Sequence, residues 1–205
     1  MTDREEVAGD AAAALSERGW SIREAPQHVA SVPGLYAIHA AAVTWEELGL
    51  PIRPGVPLYV GKSEGSLVTR ELEGHFASNP EKPARTGNST VRRSFASLLR
   101  MPLQLSGRPR GHARKIAFSK ADFTNYELDV DGDQRLTAWM HRQLNLSVWA
   151  MPANLTLREL ARVEVELIQR WTPPINIRDN PRKDPRLTAA RQLMANEARA
   201  WASSI

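Results

Sequence analysis

Two short tyrosine-bearing runs, Gly34-Leu35-Tyr36 and Leu58-Tyr59-Val60-Gly61-Lys62, constrain this chain more than any other stretch. Each is apolar, brief and preceded by a proline, Pro33 or Pro57, and runs of this kind read as β-strands. Side chains alternate between the faces of a strand, so Leu58 and Val60 share one face and Tyr59 and Gly61 the other. Antiparallel pairing of the two runs brings Tyr36 towards Tyr59. Gly61 then leaves room for another group to approach its backbone.

The rest of the chain reads as helices around such a pair. A helix is expected over 3–18, ended by Gly19, and another over 66–76 whose Leu67, Val68, Leu72 and Phe76 face inward. On that wheel Arg70 points away from the apolar cluster, free to face a cleft, and His75 lies about 140° around from it. Asn88 or Ser89 caps a third helix, with Val91, Phe95, Leu98 and Leu99 inward and Arg92, Arg93 and Arg100 on or near its outer faces. A loop over 101–121 is followed by a strand over 126–130 and a helix capped by Asp133. Leu146 to Met151 supplies the third central strand, and Asp184-Pro185 opens a last helix over 184–203. The expectation is one domain over 1–205, of α/β (α+β) class. Its core is a small antiparallel three-stranded sheet over 33–177, with 107–143 as an insertion.

The helix after this third strand singles out one residue. Thr156-Leu157-Arg158-Glu159 is a capping box. Leu157, Leu160, Ala161, Leu167, Ile168 and Trp171 then form a broad apolar face with Glu164 at its centre. A carboxylate aimed inward is costly unless it meets a cation or hydrogen-bond donors. Either Arg70 or a metal ion should therefore wait for Glu164.

Tyr36, Tyr59 with Gly61, Arg70, Glu164 and Asn176 stand in the order and rough spacing of the GIY-YIG endonucleases, which the chain resembles along residues 33 to 177. Leu35 and Val60 replace the isoleucines of the two motifs. Gly74 stands where members often carry a histidine, and His75 follows it. The resemblance implies a nuclease in which Glu164 holds Mg²⁺ or Mn²⁺, Tyr36 is the general base, and Tyr59 positions phosphate or water. Arg70 and Lys62 would offset charge on the phosphate, while Gly34, Gly61, Asn176 and His75 support the site. A phenol has an ordinary pKa of about 10, so a tyrosine base needs cations nearby.

Charge distribution points to the same partner. No acidic residue lies between Glu81 and Asp122, a span holding Lys82, Arg85, Arg92, Arg93, Arg100 and five further cations from Arg108 to Lys120. A one-signed tract is the footprint of a phosphate backbone, so Arg85, Arg92, Arg93 and Arg100 are candidate nucleic-acid contacts, with DNA expected before RNA. The histidines lack zinc spacing, and no GxSxG, Walker A or GxGxxG motif is present. No cysteine, no apolar run near ~18 residues and no signal-peptide h-region occur, which favours the cytoplasm over a membrane. Two other readings stand beside the nuclease: a non-cleaving nucleic-acid-binding module on the same fold, and a domain whose basic tract meets an acidic protein.

Overall fold

Every residue from Gly34 to Ile38 is buried, as a strand must be when both its faces and both its edges are covered. In the computed structural model this run is β2 (Gly34–Ala40), pairing antiparallel with β3 (Tyr59–Ser63) on one side and β4 (Leu144–Ala150) on the other. The structure describes residues 4–17, 19–76 and 85–204, apart from the side chains of residues 4 and 70–73. The sheet has four strands, not the expected three, in the order β1-β4-β2-β3. The extra strand, β1, is only Trp20–Ser21, paired with Leu146 and Asn145. Two residues are too few to show a period-2 pattern.

Alternation along β2 and β3 sorts the core into two layers. Leu35, Ala37 and Val60 face helices α1 (Arg4–Ser16) and α6 (Leu157–Trp171), where Val7, Ala11, Leu15, Leu160, Val163 and Leu167 pack on them. Tyr36, Ile38 and Tyr59 face the opposite layer with Phe95, Trp139 and Met194; Leu58, expected on the face of Val60, joins this layer too, because it precedes β3 and does not follow its alternation. These last come from α3 (Thr90–Leu98), α5 (Val130–Gln143) and α7 (Pro185–Ala202). Two shorter helices, α2 (Ala42–Glu47) and α4 (Lys120–Thr124), complete the set. Among the described residues no helix is long and apolar enough to cross a membrane.

Three local expectations change. Residues 126–130 form only an isolated bridge, Arg108 to Glu127, rather than a strand. Helix α5 begins at Val130 because Asp129, not Asp133, accepts from the Gly132 amide as N-cap. The third concerns Arg92 and Arg93, expected on an outer face. Helix α3 has no outer face there, since Val91 through Ser97 are all buried beneath α5, α7 and the 86–88 turn. The wheel was right about angles, but the helix is covered all round.

Arg92 instead holds the fold together. It is 0% exposed and donates to the His75 carbonyl at 2.9 Å, to Asp133 at 3.1 Å and to Thr137 at 3.0 Å. Burial pushes the Asp133 carboxyl up against the pull of Arg92. Asp133 also accepts from the Thr86 amide and hydroxyl. Removing one member of such a pair strands the other charge in the interior. Asp133→Ala should therefore cost about 3–5 kcal/mol in chemical denaturation. A change within ~0.5 kcal/mol would show that the pair carries no stability.

Candidate active site

Gly61 lies directly opposite Tyr36 in the β2–β3 register. A Cβ there would sit 2.5 Å from the Tyr36 hydroxyl oxygen and 2.8 Å from Tyr59 Cε1. The glycine is thus the floor on which both phenols rest, their ring centroids 5.9 Å apart. Gly34 serves a close approach of another kind, since a Cβ on it would strike the Trp149 carbonyl of β4 and Leu67. Tyr36 has no exposed surface, whereas Tyr59 is half-buried. Of the two phenols, Tyr59 is therefore the one with exposed surface, while the resemblance implied Tyr36 as base.

Behind Tyr36 runs a line of hydrogen bonds. Its hydroxyl meets His75 Nε2 at 3.2 Å, and His75 Nδ1 meets the Ser89 hydroxyl at 2.7 Å. Ser89 caps α3, accepting from the Arg92 amide at 3.1 Å. With that oxygen already accepting, the assignment that gives the hydroxyl hydrogen an acceptor has Ser89 donating to Nδ1. Nε2 then carries the imidazole proton and donates to Tyr36. His75 thus joins the tyrosine pair despite its displaced place in the sequence. The reason is that residues Val68–His75 are π-helical. A ladder of i→i+5 bonds brings position 75 closer to the face of position 70 than an α-helix would. The Arg70 side chain lies outside the described residues, as does Lys82.

The second group lies on the α6 side. Glu164 is 18% exposed, its nearest described cation is Lys62 Nζ at 3.8 Å, and Lys62 itself donates to Glu64 at 2.7 Å. At 3.8 Å this is an ion pair without a hydrogen bond, and burial outweighs it, pushing the Glu164 carboxyl up. Lys62 and Glu164 sit on one face of the sheet and the tyrosines on the other, so the two groups can meet only around the edge strand β3. That edge is half closed. Asn176 accepts from the Val60 amide at 2.9 Å and donates to the Val60 carbonyl at 2.8 Å, and the Ile175 amide donates to the Leu58 carbonyl. Beyond Val60, no described residue bonds the outer edge at Lys62. Asn176 is a clamp that fixes the height of the Tyr59-Val60-Gly61 backbone.

Among the described residues no three histidine or acidic side chains gather as a metal cage. One inward carboxylate short of hydrogen-bonded cations suits Mg²⁺ or Mn²⁺, which is commonly held by one or two carboxylates plus water and phosphate oxygens. Glu164 fits that donor set.

Four cations of the basic tract are already paired or bonded within the fold. Besides Arg92 with Asp133, Arg100 pairs with Glu197 at 2.7 Å and Lys115 with Asp122 at 2.6 Å. Arg93 is buried, donating to the Gly87 carbonyl and the Thr90 hydroxyl. Exposed cations remain at Arg85, Arg110, Arg114 and Lys120. One cation close to the tyrosines was missed in the sequence. Arg191 of α7 lies within electrostatic reach of Tyr59 and Tyr126.

A family model described as the GIY-YIG catalytic domain matches residues 54–193, a span that holds Tyr59, Gly61, Lys62, Glu164 and Asn176. No curated protein and no solved structure matches the chain significantly. That family is one of nucleases, generally metal-dependent, acting on nucleic acid. The matched span is most of the chain, and on it the chain belongs to the GIY-YIG catalytic-domain family.

Proposed function

We propose that this protein is a metal-dependent endonuclease that hydrolyses phosphodiester bonds in DNA. The observation that carries the reading is Glu164, a carboxylate held inward with no hydrogen-bonded cation among the described residues, beside an edge strand that presents Tyr59 and Lys62. A divalent cation held there would neutralise charge developing on the phosphate oxygens. Lys62 offsets charge at the same edge. Tyr59, as phenolate, takes the proton of the attacking water. Tyr36, fixed by the His75–Ser89 line, holds the Tyr59 ring in place. Products are a phosphate monoester and a free hydroxyl.

Incubating purified protein with plasmid, single-stranded DNA and RNA, in Mg²⁺ or in chelator, tests the reading. DNA should be cut in Mg²⁺ alone. Cutting that survives the chelator, or is confined to RNA, would overturn the metal or the substrate respectively.

The substrate track is proposed to follow the exposed cations of 110–120 rather than Arg92 and Arg93. Replacing Arg114 and Lys120 with alanine should weaken binding similarly on all sequences and flatten the salt slope by about 1–2. An unchanged slope would remove this loop from the interface.

A further inference from the structure

The inward stripe of α7 is Leu187, Arg191, Met194, Ala195 and Ala198, with every member but the arginine buried and apolar. An amphipathic helix places apolar side chains along such a stripe, so Arg191 stands where packing alone would select a leucine or methionine. Its guanidinium is half-buried and, among the described residues, has no hydrogen bond and no ion pair. Arg93 of α3 lies within electrostatic reach of it and, among the described residues, has no carboxylate partner either, and its Nε is buried without a partner. Two cations and the tyrosines Tyr59 and Tyr126 thus share one region between α3, α7 and the end of β3.

We infer that Arg191 is a phosphate-binding residue, taking a non-bridging oxygen of the nucleic-acid backbone next to Tyr59. A desolvated, unpaired guanidinium is a burden on the free protein that an anion relieves. Burial pushes the Arg191 and Arg93 guanidiniums down from their ordinary value, Arg93 to about 10, and their mutual repulsion lowers Arg93 further. The anion must reach a half-buried site and present oxygen acceptors to a planar fork of N–H donors, which a phosphodiester does. The neighbouring Tyr59 places that phosphodiester at the proposed point of cleavage. The inference rests on the nuclease reading for its substrate, but not for the existence of the anion site.

Arg191→Met and Arg191→Lys test it, with duplex DNA binding measured in chelator, KM and kcat measured in Mg²⁺, and melting of the free protein. Arg191→Met fits the apolar stripe, so the free protein should melt at the same or a higher temperature. Its binding should fall about tenfold and its salt slope flatten by about 1, with the loss in KM exceeding the loss in kcat. Arg191→Lys should recover most of the slope. A lower melting temperature with unchanged binding by the folded fraction makes Arg191 structural and overturns the inference. So does wild-type cleavage together with Arg191→Met that binds and cuts as well. If the wild type binds DNA but cuts nothing, while Arg191→Met still loses binding, the nuclease reading fails and the anion site stands.

Discussion

Tyr59→Phe should fold, bind DNA and lose about 10²- to 10⁴-fold in turnover, the range removed with a general acid–base group. The substitution deletes one hydroxyl and keeps the ring that rests on Gly61 beside Tyr36. The packing of the site therefore survives while the proton acceptor does not. Tyr36→Phe should behave differently. Its hydroxyl is buried against His75 Nε2, so its loss strands a donor and costs on the order of 1–3 kcal/mol of stability, with a smaller loss of turnover. Single-turnover cleavage beside denaturation curves separates the two. If Tyr36→Phe is the inactive variant and Tyr59→Phe cuts normally, the proton passes to the buried phenol and the roles exchange.

Glu164→Gln should reduce cleavage to background and leave DNA binding in chelator unchanged or tighter, because a negative charge next to the phosphate is gone. Its effect on the free protein depends on pH. Burial raises the Glu164 carboxyl above its ordinary value even with Lys62 at 3.8 Å. A group with a raised folded-state pKa contributes stability that is fully present below its unfolded value, and that contribution is lost as pH rises through the folded value. In chelator, wild type and Glu164→Gln should therefore melt together near pH 4. As pH rises from the ordinary carboxylate value towards the raised one the glutamine variant should become the more stable, and the gap should level off above the raised value. A relief of ~1 kcal/mol corresponds to about 2–4 °C in a chain of this size. A glutamine variant that melts lower at neutral pH would mean that Lys62 and Glu164 form a structural ion pair.

The parts of this site that were legible in the sequence are those where local pattern and burial agree. Tyr59 and Gly61 fell on one face by alternation, antiparallel pairing brought Tyr36 to them, and the structure has that pairing with Tyr36 opposite Gly61. Glu164 could be read because a carboxylate at the centre of an apolar face breaks the helical pattern. Arg191 breaks the pattern of α7 in the same way. Arg92 and Arg93 could not be read as interior residues from α3 itself, since what covers them comes from α5 and α7, far away in the chain. The partner of Glu164 was likewise a matter of tertiary placement. Arg70 or a metal ion was the expected partner; the Arg70 side chain lies outside the described residues, and the described cation is Lys62. His75 depended on a π-helical register that no 3.6-residue wheel contains.

The most direct measurement is nicking of a supercoiled plasmid by wild type and Glu164→Gln side by side in Mg²⁺, with binding of the same plasmid measured in chelator. Wild type should nick, Glu164→Gln should not, and both should bind. Equal nicking by the two proteins, or a wild type that binds and never nicks, would contradict a metal-dependent nuclease centred on Glu164.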